Sequence, residues 1–251
     1  ESCRELQDIS LSGGFEVDSV FMSHLSAYCP KLRRISFSGY SIYSNIDPIS
    51  CIGLKFQALT TLEVDNATIT DDTLLVLLQG GPNLEEIKLS DAYLLTELTF
   101  EGIASYARNL KGLELVSIEV SDALLLPIIA SNPGLIKFVL EVADAAEISD
   151  ALIIAIASDC KQLNHIEINN AWALTDVSLE AIAHHCAHLT VCNLRNNANY
   201  TNASIQLIAT HCKHLEHVEL FDLTAVGADA KGYFNDRVEV HYIKGPIPFW
   251  M

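Results

Sequence analysis

The sequence predicts an α/β solenoid. Short coils of strand and helix stack so that the strands form one parallel sheet on the concave side of a horseshoe, with the helices on its convex side. Three observations lead there. A leucine recurs about every 26 residues, a pair of apolar residues at period two follows each one, and a helical apolar stripe comes about ten residues later.

The leucines are Leu6, Leu32, Leu59, Leu84, Leu110, Leu135, Leu163, Leu189 and Leu215, spaced by 26, 27, 25, 26, 25, 28, 26 and 26 residues. Each opens the pattern L-x-x-Φ-x-Φ, where Φ is apolar. The Φ pairs run Ile9/Leu11, Ile35/Phe37, Leu62/Val64, Ile87/Leu89, Leu113/Leu115, Phe138/Leu140, Ile166/Ile168, Cys192/Leu194 and Val218/Leu220. Alternation at period two means a short strand with one buried face. A tenth, shortened unit is read around Val238 and Val240, with a cap or tail over about 235–251.

The helical half of each unit is clearest in "TDVSLEAIAHH", which places Val177, Leu179, Ile182 and Ala183 along one stripe. Thr175 is suited to the N-cap, and Asp176 to the first turn, where the helix dipole favours an anion. The same step recurs at Thr70-Asp71, Ser121-Asp122 and Ser149-Asp150, and as Thr201-Asn202. One such coil cannot bury its own apolar face, so coils must stack. An unbroken repeat implies one elongated domain over 1–251, with no linker.

Cysteine precedes the repeat leucine at Cys3, Cys29, Cys160, Cys186 and Cys212, in the form C-x-x-L. With L-x-x-L-x-L and the Thr/Ser-Asp helix start, this resembles the cysteine-containing class of leucine-rich repeats. That class is best known from F-box leucine-rich-repeat proteins, the substrate receptors of cullin-type ubiquitin ligases. A second cysteine of that pattern is replaced by Gly14, Tyr40, Ala67, Ala92, Ile118, Ala143, Ala171, Asn197 and Leu223. The resemblance implies a substrate-recognition repeat domain whose F-box lies outside this chain, with a cullin-ligase adaptor as partner only if an F-box precedes it. A free-standing scaffold or assembly subunit is the alternative, and an extracellular receptor a third. The chain opens on Glu1, without Met or a signal peptide, and is read as a fragment.

Composition narrows the function classes. No apolar run approaches the ~18–20 residues of a membrane helix, so no membrane insertion is expected. The apolar stretches 151–157 and 123–130 read as single buried helices. Seven cysteines are read as free, buried thiols of an intracellular protein, cytoplasmic or nuclear. The sequons at Asn66, Asn199 and Asn202 are common by chance and weigh little against that reading.

No catalytic motif is present, and neither enzyme activity, a cofactor nor a metal is expected. The one suggestive cluster is His184, His185, His188, His211, His214 and His217. His185 and His211, and likewise His188 and His214, are 26 apart and should stack on adjacent coils. Such a line of rings does not converge as a tetrahedral site requires.

Function is therefore expected on the strand residues beside the Φ positions, which point away from the core. This face carries eight acidic residues against four basic ones, and the whole chain is −17 with a pI near 4.7. Such charge repels nucleic acid and suits a basic protein or peptide. The candidate contact residues are Glu63, Asp65, Glu86, Glu114, Glu141, His165, Glu167, Asn193, Arg195, His217, Glu219 and Phe221. The plainer reading is that they keep an open sheet face solvated. The tail "GPIPFWM" is read either as a cap or as a segment reaching a partner, since Pro246 and Pro248 forbid a continuing ladder.

Overall fold

Every repeat leucine from Leu32 to Leu215 is at most 5% exposed, and the Φ residues behind them align strand to strand. These facts come from a computed structural model, in which residues 3–14, 16–39, 43–143 and 148–245 are described. The chain falls into two compact units, Glu1–Ile118 and Glu119–Met251. Strand–helix alternation with parallel pairing holds in each, which is the α/β class that the repeat predicts.

The first unit contains β1 (Asp8–Ser12), β2 (Glu16–Asp18), α1 (Ser19–Tyr28), β3 (Arg34–Ser38), β4 (Tyr43–Asn45), β5 (Thr61–Asp65), α2 (Asp71–Gly80), β6 (Glu86–Ser90), α3 (Glu97–Tyr106) and β7 (Gly112–Ile118). Its main sheet runs β1-β3-β5-β6-β7, and β2 pairs with β4. Ile9, Ile35, Leu62, Ile87 and Leu113 form one row, in register from strand to strand.

The second unit contains α4 (Asp122–Ser131), β8 (Lys137–Val142), α5 (Asp150–Asp159), β9 (His165–Asn169), α6 (Asp176–His185), β10 (Val191–Arg195), α7 (Asn202–His211), β11 (His217–Phe221) and β12 (Glu239–Ile243). Its strands follow the order β8-β9-β10-β11-β12, with Phe138, Ile166, Cys192, Val218 and Val240 in one row. The shortened last strand differs from expectation. Its inward pair is Val240 and Tyr242, because Val240 stands opposite Val218 and Tyr242 opposite Leu220. A slip of two residues keeps every side chain on its own face, so alternation alone does not set this register.

Among the described residues, each of the seven α-helices spans ten residues. The two apolar stretches expected as single helices fall within α4 and α5. The coil after β3 has instead a 3₁₀ turn, Pro48–Cys51, with Pro48 at its start. In α6 the buried face is Ser178, Leu179, Ile182 and Ala183, while Val177 is 50% exposed. Val177 lies about 200° around the helix from Leu179, so the expected stripe was one residue out.

The Thr/Ser-Asp step has a second role that the dipole argument missed. Asp150, at the start of α5, accepts hydrogen bonds from the Thr175 amide (2.9 Å) and hydroxyl (2.6 Å) at the cap of α6. Asp176 in turn accepts from Thr201 at 2.8 and 2.6 Å. Asp122 receives Ser149 in the same way, and in the first unit Asp71 receives Thr96. The capping threonine oxygen also accepts from its own helix: Thr175 Oγ1 from the Val177 amide and Thr201 Oγ1 from the Ala203 amide. Thr70 and Ser121 occupy N-cap positions but make no side-chain cap bond.

A second device recurs at or near the end of the strands that follow a repeat leucine. Gly13, Gly39, Asn66, Asp91, Ser117, Asn170, Asn196 and Asp222 all have positive φ. They fall seven residues after a repeat leucine, where glycine and asparagine are most easily accommodated. The exception is Val142, which remains within β8.

Six of the seven cysteines are buried as expected, and Cys3 is exposed. Cys29, Cys160, Cys186 and Cys212 close α1, α5, α6 and α7 as C-caps, and Gly81, Ala107 and Asn132 do the same for α2, α3 and α4. All seven cysteines are free. Burial pushes the Cys160 thiol up to about 11, and the Cys186 and Cys212 thiols up to about 12. The "FWM" tail, Phe249–Met251, lies outside the described residues.

Two predictions follow from these ladders. Asp176→Ala strips two donors of their acceptor. It should cost about 1 kcal/mol, the low end for a charge-assisted bond because the carboxylate is partly exposed, as read by urea unfolding. Burial opposes ionisation of Asp176, but hydrogen bonds from Ser204 and Thr201 outweigh it and hold the carboxyl below its ordinary 3.8. Its contribution is therefore present at neutral pH and lost as pH falls through that lowered value. The thiols act at the other end of the scale. Unfolded cysteines ionise near 9.0, whereas the buried ones hold their protons to about 11 or 12. Stability should therefore fall as pH rises through this window. A Cys160→Ala/Cys186→Ala/Cys212→Ala variant should show a flatter alkaline slope in urea melts at pH 7 and 10. Cys186→Ala alone should cost about 1 kcal/mol.

Candidate functional site

Alternation in the strands sends one set of side chains into the core and the other to solvent. In the first unit the solvent-facing set includes Arg34 on β3, Glu63 and Asp65 on β5, Glu86 and Lys88 on β6, and Glu114 on β7. Parallel register places Glu63 opposite Ser36 on one side and Lys88 on the other. Arg34 Nη1 lies 3.3 Å from Glu63, and Lys88 Nζ lies 3.8 Å from Glu63 and 3.3 Å from Glu114. These ion pairs are part-exposed and contribute little to stability. Here five carboxylates (Asp8, Glu63, Asp65, Glu86 and Glu114) face only two cations, Arg34 and Lys88.

A depression of about 380 Å³ lies on this face, lined by Ser36, Ser38, Glu63, Asp65, Lys88, Ser90, Glu114 and Val116. Gly112 and Thr61 on the same side are buried, and Glu86 Cγ lies 3.4 Å from where a Gly112 Cβ would stand. The acidic face is thus a ridge of long side chains over a tight backbone.

The second unit holds the remaining expected residues, and its chemistry differs. Glu141 accepts from Asn169 Nδ2 at 3.5 Å. His165 pairs with Glu167 at 2.5 Å. That bond is the main reason the Glu167 carboxyl sits below its ordinary value. Arg195 is clamped to Glu219, with Nε at 3.1 Å from Oε2, and its guanidinium lies 5.6 Å from the centre of the Phe221 ring. Burial would raise the Glu219 carboxyl, but the Arg195 hydrogen bonds outweigh it and the carboxyl is held low.

Asn193 does not belong among the contact residues. It is 6% exposed, and its Oδ1 accepts the Glu219 amide at 3.2 Å. It stands on the same face as Glu167 and Glu219 but is buried there, which alternation alone does not foresee.

The histidines fall partly as expected. His188 and His214 stack with ring centres 6.4 Å apart. The ring beside His211 is that of His184, at 5.0 Å, where His185 was expected. Helical side chains lean toward the N-terminus, and His211 Nδ1 lies 3.0 Å from the Leu207 carbonyl of its own helix, which carries its ring back by about one position. The sequence reasoning missed Glu239 and His241 on β12. His241 Nε2 lies 2.9 Å from Glu239, and His217 Nδ1 3.5 Å from it. Hydrogen bonds from His241 and His217 hold the Glu239 carboxyl below its ordinary value. The correct two-residue register of "EVHYI" would have revealed them.

No protein-family model matches the chain, and no curated protein does. Among solved structures it is similar to one described as "Crystal structure of Rad7 and Elc1 complex in yeast". That match has 14% identity and a TM-score of 0.41, and covers 94% of this chain and 80% of that one. At that identity and score the likeness carries no weight for function. Among the described residues, no helix is long and apolar enough to cross a membrane.

Proposed function

We propose that the chain is a protein-interaction module that works by binding and not by catalysis. The solvent-facing strand residues of its first unit receive a basic segment of another protein. One observation carries this reading: the solvent-facing strand positions of this unit hold five carboxylates against two cations, with Lys88 in register between Glu63 and Glu114. Along the row Glu63, Lys88 and Glu114 the carboxylates stand two strands apart, about 10 Å, with Asp65 and Glu86 beside them, and this net negative charge suits lysine or arginine side chains on an extended or helical segment. The same row repels phosphate backbones, which speaks against nucleic acid as the ligand.

The C-x-x-L repeat pattern extends the reading to substrate recognition in an F-box-type ubiquitin ligase, with the F-box outside this chain. Seven free cysteines support an intracellular, reducing setting. So does the engagement of two sequon amides: Asn199 Nδ2 donates to the Trp172 and Leu174 carbonyls, and Asn202 Nδ2 to Asp229. A glycan on Asn199 would replace one of the two hydrogens that those bonds use.

The test begins with a pull-down using this chain, with the captured protein then measured by surface plasmon resonance. Asp65→Lys/Glu86→Lys/Glu114→Lys should slow association about tenfold or more, and wild-type association should weaken steeply as salt rises. Circular dichroism melts confirm that the variant folds. An on-rate unmoved by both salt and charge reversal would reduce this face to a solvated surface. For the ligase extension, the full-length protein should co-purify with a cullin adaptor, and the captured partner should become ubiquitinated in a reconstituted reaction.

A further inference from the structure

Strands β11 and β12 pair in register, with His217 opposite Glu239 and Glu219 opposite His241. All four side chains lie on the solvent-facing side of the sheet. One donor atom each from His217, Glu239 and His241 can be chosen so that all three lie within 4.8 Å of one another. We propose that these three residues form a binding site for a divalent transition metal of the zinc class.

The donor set is the first argument. Two imidazole nitrogens and a carboxylate oxygen are the ligands zinc takes from proteins, at bond lengths near 2.0–2.2 Å. Harder ions such as magnesium or calcium take oxygen instead. Tetrahedral bonds of that length set neighbouring donor atoms roughly 3.4 Å apart. His241 Nε2 lies 2.9 Å from Glu239 Oε1 and His217 Nδ1 3.5 Å from its Oε2, so a small turn of the carboxylate brings one oxygen to that separation from both rings. The two histidine rings lie 5.3 Å apart at 44°, so they converge without stacking flat against each other.

A second, independent feature orients one of the ligands. His217 Nε2 lies 3.4 Å from Glu219 Oε1, while Glu219 is itself held by Arg195 through its other oxygen. Donation from Nε2 to that carboxylate puts the ring proton on Nε2. When a metal takes the place of the proton that His217 shares with Glu239, Nδ1 is left to ligate beside that carboxylate. A carboxylate that fixes the tautomer of a ligating histidine is the usual outer support of a zinc site. Glu219 therefore acts as a positioning residue and Arg195 as its anchor. Glu239 and His241 are exposed, so the fourth coordination position faces solvent. It takes a water or a donor atom from a bound molecule.

The test uses the whole chain, with Zn²⁺ in isothermal titration and Co²⁺ as a spectroscopic probe. One Zn²⁺ should bind per chain. Each of His217→Ala, His241→Ala and Glu239→Ala should weaken it about a hundredfold or more, beyond the ten- to hundredfold that loss of an outer-shell partner costs. His184→Ala/His188→Ala should leave binding unchanged and serves as the control for the other histidine pairs. Bound Co²⁺ should show visible bands of nitrogen and oxygen ligation, absent in His217→Ala/His241→Ala. Three results would overturn the proposal: no Zn²⁺ bound at neutral pH, equal affinity in the folded double variant, or a thiolate charge-transfer band placing the metal on cysteine.

Discussion

The register of the repeat leucines governs everything else in this molecule. A single coil exposes more apolar surface than it can cover, so each coil depends on its neighbour for burial. The in-register rows behind Leu32 to Leu215 meet that need strand by strand. Once the rows align, the positions between them align as well. Glu63, Lys88 and Glu114 in the first unit, and His217 beside Glu239 in the second, therefore stand in lines that no single strand could produce. The candidate surfaces are a by-product of the packing rule.

Packing also decides which charges remain available. On the first unit's face, Lys88 bridges Glu63 and Glu114 while Asp65 and Glu86 stand outside that bridge. In the second unit, Arg195 is committed to Glu219 and Phe221 together. The two faces share a strand pattern and differ in chemistry. One presents spare negative charge, and the other a bonded network of imidazole, carboxylate and guanidinium. Such a network holds its geometry before any ligand arrives, which lowers the ordering cost of binding.

How legible was this in the sequence? The period, the strands and the buried cysteines were legible, because they rest on local alternation and on a repeat sampled nine times. The acidic face was legible for the same reason. Details set by one coil acting on the next were not. The burial of Asn193 depends on the Glu219 amide of the following strand. Val177 was misplaced because a ten-residue helix offers too few apolar positions to fix its phase. The positive-φ column from Gly13 to Asp222 was visible as a run of Gly, Asn, Asp and Ser, but only once the strand ends were known. Glu239 and His241 were lost to a two-residue slip in a repeat with no leucine to anchor it.

The hydrogen bonds between successive helix caps all point one way. The acceptor belongs to the earlier coil and the donor to the later one, as in Asp150 to Thr175 and Asp176 to Thr201. A segment such as 150–175 or 176–201 therefore begins with an acceptor and ends with a donor. Copied or excised whole, such a segment leaves both its neighbours partnered. Inheritance can lengthen or shorten a chain of this kind by slippage in steps of one coil. Each step shifts the solvent-facing strand positions along the sheet without disturbing the joints on either side.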